Sequence, residues 1–204
     1  MNAAGEKQRV VKHLVTFDEF VLRVQEHEKA DLIDGVIHMA SPESLEGNEL
    51  VMWVAWLVSG FVDEKECGKV YISRVAFRLG LHQSPEPDIA FVHKDRLHLC
   101  QYGYFDGPPD LAMEFVSPES VERDYEKKRK QYQTAGVREY WIIDEAMREV
   151  TLLCLQANGE YEQAAIRDGR FESVVLPGFH LRPEWLWQSP LPKKGPILAQ
   201  LLQP

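Results

Sequence analysis

From Leu111 to Val116 the chain is apolar except at Glu114, and strand alternation places Ala112, Glu114 and Val116 on one face and Leu111, Met113 and Phe115 on the other. Both faces are apolar apart from that acid, which is the pattern of a central, buried strand. Ser117-Pro118 ends it, because proline cannot extend a central ladder. A segment with helical spacing follows, with an inward stripe of Val121, Tyr125, Lys128, Tyr132 and Ala135. Gly136 stops the helix, and a second apolar run, Tyr140 to Ile143, completes a strand–helix–strand unit of the kind that builds α/β domains.

The same two periods predict the other elements. Thr16, with Glu19 three residues on, forms a capping box for a short helix to about Gln25, with Phe17, Phe20, Val21 and Val24 inward. Asp31 to Met39 predicts a β-hairpin that turns at Asp34-Gly35. Ser41-Pro42-Glu43-Ser44 caps a long helix, Leu45 to Glu64, whose Leu50, Trp53, Val54, Leu57, Val58 and Phe61 recur at helical spacing and mark a core face. Lys69 to Leu79 predicts a strand with a register change near Ser73. Ser84 to Pro87 leads in extended form into a short buried strand, Asp88 to Val92. Residues 93–109 predict a long polar loop, of a length that is often functional. Further strands are expected at Glu149–Leu155, Tyr161–Ile166 and Phe171–Leu176, then a helical turn at Pro183–Trp187.

Composition narrows the class. With 204 residues, 45% hydrophobic and 27% charged, the chain has the make-up of one soluble globular domain. It is expected over residues 13–188, after a disordered segment 1–12 and before a loosely held, Pro-rich tail, 189–204. Cys67, Cys100 and Cys154 are far apart and form no CxxC pair, as in a reduced cytoplasmic protein without a zinc site. No apolar leader opens the chain, and its longest apolar stretch, Leu50 to Val62, falls short of the roughly 20 residues that span a bilayer. No membrane partner is expected. GxGxxG, Walker and GxSxG motifs are absent. A formal charge of −9 argues against strong nonspecific nucleic-acid binding, although Arg123 to Lys130 gathers five cations with two acids. That cluster is an exposed helix face, or a phosphate contact if a phosphate-processing site lies beside it.

The candidate chemistry begins with Glu114, because a buried carboxylate needs a cation, a metal or a proton. Lys128 occupies an inward position of the following helix and points back toward it. The two form either a core ion pair or part of a site. A third group, Asp88, opens a strand directly after Pro87. Pairing of that strand with the one carrying Glu114 brings two oxygen donors together, a donor set suited to Mg2+, which retains waters and prefers carboxylates.

Asp88, Glu114 and a lysine match the pattern of the PD-(D/E)XK nucleases, except that the lysine's usual place two residues after the second acid is Val116. More narrowly, LIDGVI at 32–37, EPDIAFV at 86–92, LAMEFVSPES at 111–120 and RDYEKKRKQYQTAGVREYWIID at 123–144 closely resemble the Uma-two family of bacterial restriction-endonuclease-like proteins. The resemblance covers about residues 16–187. It implies a restriction-endonuclease-like α/β fold, a central mixed sheet flanked by helices, here with an additional C-terminal β-meander. It further implies Asp88 and Glu114 as ligands of Mg2+ (Mn2+ as substitute), and Lys128 as a catalytic lysine moved to the next helix. Tyr132, Gly136, Val137, Tyr140, Trp141 and Asp144 would be structural. Asp31 stands where the family commonly has a catalytic Glu, one methylene shorter, and is either a site acid or a hairpin residue. Glu46-Gly47-Asn48 occupies the place where the family tends to carry a His. The implied activity is metal-dependent DNA cleavage by a homodimer, with Arg123, Lys127 and Lys130 on the DNA backbone. The alternative is a catalytically inactive nuclease fold kept as a binding or assembly module.

Overall fold

Local signals account for where the elements begin and end. A computed structural model describes residues 13–25 and 27–203, so the expected disorder of 1–12 lies outside the described residues. Thr16 caps α1 (Phe17–Arg23): its hydroxyl accepts the Glu19 N–H at 3.3 Å, and the Glu19 carboxylate accepts the Thr16 N–H at 2.9 Å. The helix ends two residues early, and Val21 is exposed rather than inward. β1 (Ala30–Ile33) and β2 (Val36–Met39) form the expected hairpin. Its turn takes Asp34 and Gly35 to φ 50° and 73°, as a tight hairpin turn requires, and a Cβ at Gly35 would stand 2.6 Å from that of Leu14.

Ser44 caps α2 (Leu45–Lys65) by accepting the Gly47 N–H at 2.9 Å. β3 (Gly68–Ile72) ends where Ser73 and Arg74 adopt positive φ, so the predicted register change is a full break. Beyond it, β4 (Ala76–Phe77) leaves the main sheet and pairs in parallel with β6 (Tyr104–Phe105). Between them runs β5 (Ile89–His93), followed by a 3-10 helix, Lys94–Leu99. The expected polar loop is therefore structured, because Leu97 and Leu99 pack onto Phe77 and Phe105. Next come β7 (Leu111–Phe115), a π-helical segment (Arg123–Lys128), and α3 (Arg129–Ala135), which continues it and ends at Gly136, φ 82°. β8 (Glu139–Asp144), β9 (Glu149–Leu155) and β10 (Tyr161–Gln163) are consecutive antiparallel strands. The chain closes with β11 (Phe171–Glu172), β12 (His180–Leu181), α4 (Pro183–Leu186) and α5 (Lys194–Leu201).

The central sheet has six strands in the order β10-β9-β8-β7-β5-β3, and β7–β8 is its parallel pair. The sheet is mixed and flanked by helices, with the meander at its C-terminal edge. Alternation divides its residues between two layers. Ile89, Phe91, Leu111, Met113, Trp141, Ile143 and Leu152 face α2 in the larger core, meeting Leu50, Trp53, Val54, Leu57, Val58 and Phe61. Each such fully buried side chain stabilises by about 1.5–3 kcal/mol. Ala112, Tyr140, Ile142 and Leu153 face the other way, toward Tyr132 of α3. The tail is not loosely held: Ile197 and Leu201 of α5 are buried against α2, and the Trp53 indole N–H donates to the Pro192 carbonyl at 2.8 Å.

The strand expected over Phe171–Leu176 stops at Glu172 because Glu139 takes over the backbone beyond it. That fully buried carboxylate accepts from Ser173 Oγ (3.0 Å), Val174 N (2.8 Å), Val175 N (2.9 Å) and Trp141 Nε1 (2.6 Å). Four donors onto one carboxylate satisfy it without a cation.

Candidate active site

Strand pairing assembles the site from three distant segments. Ile89 lies opposite Met113 and Ala90 opposite Ala112, so Asp88, just before β5, lies next to Glu114 of β7 on the face away from α2. Asp88 Oδ2 accepts the Phe115 N–H at 2.8 Å, which fixes the carboxylate against its neighbour strand. The hairpin is held over the same face: the Leu32 N–H donates to the Ser84 carbonyl at 2.8 Å, and the Glu86 N–H donates to Asp31 Oδ1 at 2.9 Å. In return the Ala30 N–H donates to Glu86 Oε2 at 3.2 Å.

The helix supplies the lysine. Lys128 Nζ lies 2.9 Å from Glu114 Oε1, 3.0 Å from Asp31 Oδ2 and 3.8 Å from Asp124 Oδ1. Tyr132, one turn on, donates its hydroxyl to Glu114 Oε1 at 2.7 Å. Val121, expected inward, is exposed, while Asp124, four residues before Lys128, is buried and shares its inner face. The segment between them is π-wound, a winding that recurs at functional sites. Arg123 also turns inward, with Nε 3.5 Å from Asp31 Oδ2 and 3.8 Å from Asp124 Oδ1. Lys127 lies outside, paired with Glu122 at 3.1 Å, and Lys130 is exposed.

All four residues singled out as catalytic, Asp31, Asp88, Glu114 and Lys128, therefore stand around one cleft of about 640 Å3. Three more members were missed. Lys29 forms an ion pair with Asp88 Oδ1. Glu86 and Asp124 complete the buried acids. The signals were present but weak: Lys29 precedes Asp31 by two positions, Glu86 precedes Asp88 by two, and Asp124 precedes Lys128 by four. The lips of the cleft are residues 40–44, ahead of α2, and 117–120, after β7; the Ser41 hydroxyl donates to Glu119 across it.

Carboxyl groups outnumber cations here. Among the described residues Asp31, Glu86, Asp88, Glu114 and Asp124 are five buried carboxyl groups and Lys29, Lys128 and Arg123 are three cations, so full ionisation would leave two negative charges over. The titration of the groups reflects this. Burial pushes the Glu114 carboxyl well above the usual carboxylate range, and Lys128 offsets this only in part. Burial likewise raises Glu86, to about 7, and raises Asp124. Burial opposes the charge on Lys128, but Asp31, Glu114 and Asp124 together outweigh it and keep the ammonium firmly protonated.

A cluster of oxygen donors in which burial favours protons for want of cations fits a divalent cation. Asp88 and Glu114 are the neighbouring pair that face the cleft. Among the described residues no three His, Cys, Asp or Glu side chains are arranged as a metal-ligand set. No helix among the described residues is long and apolar enough to cross a membrane.

Comparison with known proteins bears on the family and the fold. No curated protein matches the chain. Five solved chains do. One is described as a "putative nuclease belonging to DUF820" from Anabaena variabilis; it is 19% identical, covers 85% of this chain and 97% of its own, and superposes with a TM-score of 0.72. At that identity the likeness establishes a shared fold. A family model described as "Uma2: Putative restriction endonuclease" matches residues 17–184, most of the chain. The protein belongs to the Uma2 family, and its mixed sheet with flanking helices is the restriction-endonuclease-like fold of that family.

Proposed function

We propose that this protein is a Mg2+-dependent endonuclease that hydrolyses DNA phosphodiesters in the cleft between the β1–β2 hairpin and the end of β7. The observation that carries the proposal is the juxtaposition of Asp88 and Glu114 on one sheet face, inside a buried cluster with more carboxyl groups than cations. Asp88 and Glu114 would hold the cation, and Mn2+ would substitute for Mg2+. Bound there, the ion supplies Lewis acidity toward a phosphoryl oxygen and lowers the pKa of a neighbouring water.

The chain's own groups do the rest. Tyr132 and Lys128 fix the orientation of Glu114, and the Phe115 N–H fixes Asp88. Lys128 carries its full complement of protons and so has no lone pair with which to act as a base. Its part is to hold Glu114 and Asp31 in place. Asp31, though one methylene shorter than the family's glutamate, reaches Lys128 and Arg123 and orients both. Lys127 and Lys130, on the outer side of the helix, are the DNA-backbone contacts of this reading, while Arg123 is engaged with Asp31 and Asp124 inside it. The homodimer and the cytoplasmic location belong to the same proposal and rest on the family resemblance and the three free cysteines.

Incubation of supercoiled and single-stranded DNA with Mg2+ or Mn2+ tests the reading. Metal-dependent cleavage by the wild type and its loss in Asp88→Asn are expected; equal activity in both would refute the assignment. A competing reading, a nuclease fold kept as a binding module, is favoured by one observation, the enclosure of Lys128 by three acids. Failure to bind millimolar Mn2+ would support it.

The pH dependence of cation binding follows from the raised carboxyls. In the metal-free fold Glu86 keeps its proton up to about 7, whereas in the unfolded chain it loses it near the ordinary 4.5. Its contribution to stability is therefore present at low pH and lost as pH rises through about 7. A cation held by Asp88 and Glu114 would have to displace the proton that burial favours on Glu114. Calorimetric titration should show Mn2+ affinity rising with pH between 5.5 and 8, by up to roughly tenfold per pH unit. Affinity that does not change between pH 5.5 and 8 would contradict the charge accounting.

A further inference from the structure

The cleft contains two lysines in opposite situations. Lys128 is 2% exposed and meets three carboxylates, so its ammonium cannot leave without stranding buried acids. Lys29 is 17% exposed, lines the cleft, and among the described residues has one carboxylate partner, Asp88 Oδ1. Its backbone is firmly placed. The Ala40 N–H donates to the Lys29 carbonyl at 2.9 Å, and the next residue, Ala30, donates to Glu86. Strand alternation puts Lys29 on the same side as Asp31, two residues on, which is the side of the cleft.

An ammonium has three donors, and the Asp88 contact uses one. The other oxygen of Asp88 already accepts the Phe115 N–H, so Oδ1, on which the ammonium sits, is the oxygen with no backbone partner to compete with a cation. Lys29 thus occupies the place on Asp88 that a metal ion needs.

We infer that Lys29 is a catalytic residue. In the metal-free protein it stands in for the cation on Asp88; when a divalent ion binds there, the ammonium is displaced into the cleft and contacts the scissile phosphate. This rests on the nuclease reading above. In hydrolysis the oxygen of water bonds to phosphorus and the phosphorus–ester oxygen bond breaks. The proton lost by water passes to solvent, and the departing alkoxide takes one from solvent. Lys29 stays protonated throughout and neutralises negative charge that builds on the phosphoryl oxygens, as preorganised cations do in phosphoryl transfer. Lys128 is a positioning residue beneath it.

Two measurements on Lys29→Met, each also made on Lys29→Arg, test the inference. The first is Mn2+ affinity by calorimetry. Removal of the competing ammonium should tighten binding by about tenfold or more, whereas Lys29→Arg, which keeps the charge, should bind as the wild type does. Unchanged or weaker binding by Lys29→Met would overturn the inference, whether or not DNA is cleaved. The second is cleavage at saturating Mn2+. Lys29→Met should lose about 100-fold in kcat, the scale of one transition-state donor, with KM nearly unchanged and partial rescue by Lys29→Arg. If the wild type cleaves and Lys29→Met cleaves equally fast, the inference fails and the nuclease reading survives. If the wild type cleaves nothing, the nuclease reading and the catalytic role of Lys29 both fail, and tightened Mn2+ binding by Lys29→Met then supports only the stand-in on Asp88.

Discussion

Lys128→Met should lower the melting temperature by roughly 10 °C. The ammonium is the common partner of Asp31, Glu114 and Asp124, all within 3.8 Å and all buried. Methionine matches the stem of lysine but leaves three carboxylates around an apolar atom. Removing one partner of a buried ion pair costs about 3–5 kcal/mol, and in a chain of this size each kcal/mol moves the midpoint by about 2–4 °C. The loss comes from orphaned acids rather than from a cavity, so it should be partly reversible by a second change. Adding Glu114→Gln to Lys128→Met should recover several degrees, because the amide needs no cation and still accepts the Tyr132 hydroxyl. Scanning calorimetry on the two single variants and the double variant gives the coupling. A drop of under about 2 °C for Lys128→Met would show that these acids are accommodated in some other way.

Glu114→Gln alone should behave in the opposite sense. The carboxyl is buried and its ionised form is disfavoured there, in a cluster with more carboxyl groups than cations. A neutral isostere relieves that excess while Lys128 keeps Asp31 and Asp124. The melting temperature should stay within about 2 °C of the wild type or rise, whereas cleavage should fall by about 1,000-fold, the upper end of what a single electrostatic group contributes. Stability gained where activity is lost is the signature of a strained functional site. Thermal melts and plasmid nicking on one preparation decide it. Retained cleavage would remove Glu114 from the reaction, and a large loss of stability would mean that Glu114 is a structural anchor.

The two variants separate roles that periodicity alone could not. Glu114 was legible because a single acid interrupts an otherwise apolar strand, and Lys128 because it occupies a position on a helical stripe where an aliphatic residue belongs. Both signals are local. Asp124, four residues before Lys128, shares its face in an ordinary helical repeat, but so do the apolar Val121 and Tyr125, and polarity alone favours those two as the inward pair. Lys29 and Glu86 sit in short polar stretches that look like connections. They become site residues only when the hairpin and the segment before β5 zip together through Leu32, Ser84 and Asp31. That convergence is tertiary and has no periodicity. The same limit affected the tail, where the prolines at 190, 192, 196 and 204 obscured the helical spacing of Ile197 and Leu201 that seats α5 on α2.

Arg123 illustrates the same point from the other side. Counted along the chain it belongs to a basic cluster suited to DNA, yet its guanidinium lies against Asp31 and Asp124. The helix is thus two-sided, with Lys127 and Lys130 outward and Arg123 and Lys128 inward.

Crystals soaked in Mn2+ and measured at the manganese absorption edge test the cation site most directly. The account predicts one strong anomalous peak within bonding distance of Asp88 Oδ1 and Glu114, with the Lys29 ammonium moved off Asp88. No peak at millimolar Mn2+, or a peak elsewhere with Lys29 still on Asp88, would contradict it.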